Sequence, residues 1–314
     1  MSNGNWIMNR YYNSYSTYLR EKFGCRVHKV SVDVGFTCPN RDGAVTIGGC
    51  VYCNNDSFVP QYARSRVSLH NQIRIGMEYL KKRFKAEKFI IYFQAYTNTY
   101  DKVEKLEKIY RKALEHDGVV GLAIGTRSDC VDEEKIKLFE TLSRDWFVTL
   151  EYGIESIYDK TLKLMNRGHD YQSVLNAIRI TKDRGIHIGA HIIVGFPGET
   201  QDEMLRMADE ISKLGIDFLK IHNLHIVRNT PLARMYLKEP FHLFTYDEYL
   251  DFISCFLERL SPKIVLERLF TDTPQGLLIA PIWNKTHAEI LRGINIELHR
   301  RGTYQGRLFK ENPD

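Results

Sequence analysis

Three of the chain's six cysteines, Cys38, Cys50 and Cys53, crowd into one glycine-rich loop that reads Cys38-Pro-Asn-Arg-Asp-Gly-Ala-Val-Thr-Ile-Gly-Gly-Cys50-Val-Tyr-Cys53. Thiolate sulfur binds zinc and iron–sulfur clusters alike. A [4Fe–4S] cube held wholly by protein takes four cysteines. Three leave one iron open, and an open iron is what reductive cleavage of S-adenosylmethionine (SAM) requires: the SAM amino and carboxylate groups chelate it, and one electron breaks a C–S bond. Gly43, Gly48 and Gly49 would let the loop wrap closely round a cluster. The competing chemistry is a tetrahedral zinc site built from Cys25, Cys38, Cys50 and Cys53, or with His28 in place of one. Only one Cys-x-x-Cys pair is present, where zinc ribbons carry two, so iron–sulfur is favoured and zinc stays open. Six cysteines in 314 residues do not make a disulfide scaffold. Cys130 and Cys255 stand alone and read as buried apolar residues.

The elements that must position this loop alternate. Strands are expected at His28–Val34, Lys88–Gln94, Val119–Gly125, Trp146–Gly153, His187–Val194 and Asp217–His222. Helices are expected at Ser68–Phe84, Lys102–Glu115, Asp132–Leu142, Ser156–Leu164, Tyr171–Arg184 and Glu199–Leu214, with Val174, Ile178 and Thr181 at helical spacing. Six β–α units imply an α/β fold with a parallel sheet, curled by right-handed crossovers into a partial (β/α)6 barrel. Functional residues then sit at the carboxyl ends of strands. The cysteine loop falls there, as do Gln94–Thr99, Thr126–Arg127, Glu151–Glu155, His191 and Gly195–Glu199. Beyond residue 225 the rhythm changes: Asn229-Thr230-Pro231 reads as a turn, and Thr245–Leu260 and 285–302 as helices. The organisation expected is a basic, aromatic N-terminal segment (1–27), a core barrel (28–225) and an α-rich C-terminal extension (226–314).

Composition is that of a globular protein, 43% hydrophobic and 26% charged. No apolar run approaches the roughly 18 residues of a membrane span, and the first residues lack the apolar stretch of a signal peptide, so a cytoplasmic protein is expected. The net charge of +5 is uneven. Residues 1–30 carry five Lys/Arg against one acid, and residues 62–88 carry eight against two. With Tyr11, Tyr12, Tyr15 and Tyr18 interleaved, this end would suit an RNA backbone and stacked bases; the plainer reading is a solvated helix face with tyrosines packed on the core.

The loop resembles that of radical SAM enzymes in the branch of the elongator catalytic subunit, where the first cysteine gap is long and an aromatic, here Tyr52, precedes the last cysteine. Further segments resemble successive motifs of the YtqA/YhcC (MnmL-type) subgroup: Tyr92–Tyr100, Gly125-Thr-Arg-Ser-Asp-Cys130, Glu151-Tyr-Gly-Ile-Glu-Ser156, Asn166-Arg-Gly-His-Asp170, His191–Glu199 and Thr273-Pro-Gln-Gly276. The resemblance covers roughly residues 25–310 and implies a [4Fe–4S] cluster on Cys38, Cys50 and Cys53 with SAM beside it. Tyr52 is counted with the cofactor-binding residues. Glu155, Glu151 and Ser156 suit the SAM ribose, unless one glutamate only caps a helix. Arg167 matches the family position associated with SAM and suits its carboxylate; Arg127 would serve the same end or take a substrate phosphate, and for each a plain ion pair is the alternative. Gln94 stands where many relatives have a GGEP-like segment, a departure from the pattern. His191, beside Gly189 and Ala190, faces room for adenine; His191, His222 and His225 are each also readable as core residues. Gly195-Phe-Pro-Gly198 before Glu199 looks like a helix start whose N–H groups would meet SAM or phosphate.

The elongator-like branch acts on tRNA wobble uridine. The chain has no room for that branch's acetyltransferase domain, so acetyl transfer is not implied. The subgroup resemblance implies conversion of 5-carboxymethylaminomethyluridine to 5-aminomethyluridine, with a reductant such as flavodoxin or ferredoxin upstream, a tRNA methylase downstream, and no membrane. A radical SAM enzyme of a small metabolite and a zinc-stabilised RNA-binding protein are the alternatives.

Overall fold

Runs of β-prone residues that are apolar on both faces build the centre of the molecule. Lys88–Phe93 (KFIIYF) buries five of its six residues, and Phe147–Glu155 all but its last. Such runs suit a parallel sheet covered on both sides. The computed structural model describes residues 11–54, 61–63, 67–274 and 276–311. In chain order the strands are β1 (Val27–Val32), β2 (Lys88–Phe93), β3 (Val119–Thr126), β4 (Phe147–Glu155), β5 (His187–Val194), β6 (Phe218–Asn223), β7 (Ile226–Val227), β8 (Val265–Arg268) and β9 (Leu278–Ala280). Seven form one parallel sheet in the order β1-β2-β3-β4-β5-β6-β8, curled into a half-barrel; β7 and β9 make a small antiparallel pair. The six expected strands are all present within two residues of their expected ends. The seventh, β8, comes from the stretch expected to be a separate extension.

The helices are α1 (Tyr15–Phe23), α2 (Leu69–Phe84), α3 (Val103–Leu114), α4 (Glu133–Ser143), α5 (Asp159–Leu164), α6 (Tyr171–Thr181), α7 (Gln201–Lys213), α8 (Pro231–Lys238), α9 (Tyr246–Arg259) and α10 (His287–Arg300). Side-chain caps start most of them, including Ser68, Asp132, Asp170, Thr200, Thr245 and Thr286. Two were not expected. Helix α1 is capped by Ser14, ends on Gly24 at φ 70°, and buries only Tyr15 and Leu19. The expected turn at Asn229-Thr230-Pro231 is the start of α8, with Thr230 as cap and Pro231 in the first turn.

The apolar core lies between the sheet and its outer helices. A second cluster, with Tyr15, Ile90, Phe147 and Phe218, plugs the amino-terminal end of the barrel. The sheet curls until Lys29 on β1 meets Glu267 on β8. Across those edges sits α1, and the Leu266 N–H donates to the Asn13 carbonyl at 2.7 Å, covering the open side of β8.

This packing decides between the two readings of the basic, tyrosine-rich end. Tyr15 packs edge-on to Phe218, Tyr18 lies against Phe218 and Phe147, and Tyr11 bonds His299. Tyr12 packs against the main core. The tyrosines are structural. Lys81, Lys82 and Arg83 close the last turn of α2, at the amino-terminal end of the barrel. Residues 1–10, Arg64, Arg66 and Gln275, which belong to the same readings or motifs, lie outside the described residues. Cys130 is buried as expected; Cys255 is half-buried and accepts from Arg301 at 3.3 Å. Among the described residues no helix is long and apolar enough to cross a membrane.

Candidate active site

The carboxyl ends of the strands surround one deep cavity, and Cys38, Cys50 and Cys53 all line it. Buried Asn40 shapes the loop that carries them. Its Nδ2 donates to the Asn166 carbonyl at 2.5 Å and lies 3.4 Å from Cys50 Sγ, while its Oδ1 accepts from Thr46 at 2.8 Å. Asn166, at φ 51°, returns a bond from Nδ2 to the Gly49 carbonyl at 2.9 Å. Gly168 must be glycine here: a Cβ would lie 2.2 Å from Asn40 Oδ1. The Asn166-Arg-Gly loop is therefore the wall that holds the cysteine loop.

Arg167 is buried in that wall. Its Nη2 donates to the Gly153 carbonyl at 2.7 Å and lies 3.4 Å from Glu155, and its Nη1 lies 3.6 Å from Cys50 Sγ. Burial opposes its charge, but Tyr52, Glu155 and Cys50 hold the guanidinium firmly protonated. Glu155 reaches the cavity because β4 bulges against β5 at this point and Glu155 takes φ 65°. Gly153 leaves the room for both, since a Cβ would stand 2.5 Å from Arg167 Nη2 and 2.6 Å from Glu155 Oε1. Tyr52 packs on Phe196 with ring centroids 5.6 Å apart. Burial, then the charges of Cys50 and Glu155, push its phenol well up.

Arg127 is equally buried but committed. Its fork grips Asp129 at 2.8 and 2.7 Å, and Nη1 donates to the Arg167 carbonyl at 2.7 Å. It lines the cavity while bracing the Asn166-Arg-Gly loop. Gln94 follows β2 on the cavity wall, 3.4 Å from the Ser31 hydroxyl. Ser156 is bonded to Glu199 at 2.5 Å. At the start of α7 the Thr200 and Glu203 N–H groups are met by a Thr200–Glu203 capping box.

Deeper in the barrel lies a charge network that sequence reasoning missed. Glu151, 1% exposed, bonds Lys29 and, at 2.6 Å, Lys220; Glu267 bonds the same two lysines at 2.6 and 2.9 Å. Burial would raise the Glu151 carboxyl, but Lys220 and Lys29, with His191, hold it well below the usual range. His191 Nε2 donates to the Glu151 carboxylate at 2.9 Å, and the space beside Gly189 is filled by the Glu151 side chain, 2.9 Å from where a Cβ would be. Glu151 and His191 thus line the cavity floor as one unit. The available signal was a lysine at an inward position in each of two buried strands, where an unpaired charge does not occur.

The residues suit the cofactors that three cysteines suggest. Arg167 Nε, the Tyr52 hydroxyl and the Thr97 hydroxyl are buried on residues lining this cavity and have no partner among the described residues. Arg41 Nη2 lies 3.8 Å from Cys53 Sγ, so amide and guanidinium donors face two of the three sulfurs, as thiolate ligands prefer. The zinc alternative fails. Cys25 precedes β1 and packs with Phe23 at the far end of the barrel, and His28 stacks on Phe84. Among the described residues no three His, Cys, Asp or Glu converge on a single ion.

The comparisons with known proteins agree. The radical SAM superfamily profile matches residues 35–211, and the radical SAM C-terminal domain profile residues 216–300. YtqA of Bacillus subtilis is 34% identical over 95% of this chain and 93% of its own length. YhcC of Escherichia coli K12 is 32% identical over 86% and 87%. The tRNA uridine(34) acetyltransferase of Methanocaldococcus infernus is 27% identical over 60% of this chain and 35% of its own. The solved structure of the Elp3 of that archaeon, lacking its N-terminus, superposes with a TM-score of 0.70 at 20% identity, covering 89% of this chain and 64% of that one. The chain belongs to the radical SAM superfamily, in the YtqA/YhcC group of its elongator-like branch, and its cofactors are a [4Fe–4S] cluster and SAM.

Proposed function

We propose that the enzyme trims the 5-substituent of tRNA wobble uridine, from 5-carboxymethylaminomethyl to 5-aminomethyl. The observation that carries this reading is the likeness to a tRNA uridine(34) acetyltransferase over 60% of the chain. Cys38, Cys50 and Cys53 would hold the cluster, with Arg167, Glu155 and Tyr52 beside SAM and Gln94, Arg127, Glu151 and His191 on the remaining wall. Cluster and SAM together supply one-electron bond cleavage and a hydrogen-abstracting 5′-deoxyadenosyl group. The protein's own part is to hold and orient: Arg167 and Arg127 fix the loop over the cavity, and the Lys29–Glu151–Lys220 network keeps the floor rigid. The substrate CH₂ between amine and carboxylate is a weak C–H site, since a radical there is delocalised. Its oxidation by two electrons at the expense of SAM, then hydrolysis, would leave the aminomethyl group and a two-carbon acid.

The test uses protein reconstituted without oxygen, with dithionite, SAM and tRNA carrying 5-carboxymethylaminomethyluridine deuterated at that CH₂. Expected are about four irons per chain, tRNA-dependent 5′-deoxyadenosine bearing deuterium, and 5-aminomethyluridine. SAM cleavage with unchanged tRNA would discard this substrate in favour of a small metabolite.

A further inference from the structure

The β6–β8 wall of the cavity carries a charge that nothing above uses. β8 bulges against β6: Leu219 pairs with Leu266, but Lys220 pairs with Arg268, so Glu267 is the extra residue. A bulge re-aims side chains that simple alternation would send to opposite faces. Here it lets two consecutive residues face inward. Glu267 turns down to Lys29 and Lys220, while Arg268 lines the cavity above them.

Arg268 is half-buried and its guanidinium, among the described residues, makes no hydrogen bond and no ion pair. Its neighbouring carboxylate is spent on two lysines. A guanidinium taken partly out of water without a partner is costly, and a planar fork of donors suits a bidentate anion. Its charge bears on the His222 imidazole of β6, and burial keeps both His222 and His225 neutral. His222, on β6, lies 5.7 Å ring to ring from His191, and His225 shares a 3.0 Å bond with the Thr273 hydroxyl. All of these line the same cavity. Cys50, by contrast, is held against β4 through Arg167.

We infer that Arg268, with His222 and His225, forms an anion subsite that grips a carboxylate or phosphate of the substrate, on the β6–β8 wall. The subsite rests on the radical SAM reading of the cavity but not on tRNA as the substrate. It would hold one charged end of the substrate while the rest reaches the cofactors.

The test reads binding directly. Full-length protein carrying ¹⁵N-labelled histidine is titrated with N-methylglycine and, separately, with inorganic phosphate, following the His222 and His225 ring signals. At least one probe should shift both signals saturably, with affinity at least tenfold weaker in Arg268→Gln and intermediate in Arg268→Lys. Response to N-methylglycine supports a substrate carboxylate; response to phosphate supports a nucleotide phosphate. No response in the wild type, or equal affinity in Arg268→Gln, overturns the subsite. So does a matching loss of SAM affinity, which would assign Arg268 to the SAM carboxylate. In turnover, Arg268→Gln should raise KM for tRNA at least tenfold with a smaller change in kcat. An unchanged KM with active tRNA turnover overturns the subsite and spares the tRNA reading. Anion binding without any tRNA turnover does the reverse.

Discussion

Arg167 ties Cys50 to the barrel: its Nη1 lies 3.6 Å from Cys50 Sγ while Nη2 donates to the Gly153 carbonyl at 2.7 Å. A lysine has one charged nitrogen and cannot span sulfur, carbonyl and Glu155 together. Arg167→Lys should therefore fold, keep part of its iron after reconstitution, and lose at least tenfold in SAM cleavage, about 1.4 kcal/mol or more of transition-state stabilisation. Iron analysis and 5′-deoxyadenosine formation check this. Full activity in the lysine variant would mean that only charge matters at this position.

Gly153 allows Arg167 and Glu155 to share one corner. In Gly153→Ala the added methyl falls 2.5 Å from Arg167 Nη2 and 2.6 Å from Glu155 Oε1. Both are ends of side chains, so they can shift, and the stability cost should be only about 1–3 kcal/mol. The shift itself moves Arg167, which lies 3.6 Å from Cys50 Sγ, and its partner Glu155. SAM affinity should fall at least tenfold while the urea midpoint moves modestly. The opposite pattern, a large loss of stability with normal SAM binding, would place the strain in the sheet instead.

Glu151 is the shared acceptor of Lys29 and Lys220. Glu151→Gln leaves two buried ammonium groups with Glu267 alone, and losing one partner of such a network costs about 3–5 kcal/mol. Adding Lys220→Met should restore part of that loss, because the surplus charge is then removed. Denaturant unfolding of the single and double variants measures the coupling. If the double variant is no more stable than the single, the lysine does not depend on Glu151.

Much of this is legible in the amino-acid sequence, and what is not has a physical cause. That Cys38, Cys50 and Cys53 share one cavity could be read because their spacing along the chain is itself the signal, and β2 because a continuous apolar run is local. Strand β8 escaped because it is four residues long and its bulge at Glu267 breaks the alternation that would mark it. Helix α1 escaped because it buries only Tyr15 and Leu19 and its remaining residues are polar or partly exposed. Glu151 was picked out for a SAM contact by its place at a strand end, yet its partners come from β1, β5 and β6. Pairings across a barrel depend on curvature, and the curvature depends on every strand at once. Arg127 and Arg167 were both candidates for the SAM carboxylate; only the fold shows one fork closed on Asp129 and the other left with an unbonded Nε.

The buried histidines should give the fold a two-stage acid response. Burial lowers His191, His222 and His225, the last to about 4, from an ordinary 6.5. The unfolded chain then takes up protons below pH 6.5 while the folded one stays neutral, so stability falls as pH drops from 6.5 towards 4. His225 alone would account for on the order of 3 kcal/mol of that loss. Glu151 acts later. Its carboxyl lies well below its ordinary 4.5 when folded, so its contribution is intact above pH 4.5 and is lost only as pH falls through the lowered value. Denaturant unfolding from pH 7.5 to 3.5 should show a first decline beginning near 6.5 and a steeper one below 4.5. His225→Asn should remove part of the first decline, with His191 and His222 still contributing to it, and leave the second, whereas Glu151→Gln should reduce only the second. A wild-type stability that is level from pH 6.5 to 4.5 would mean these imidazoles charge as readily in the fold as in water.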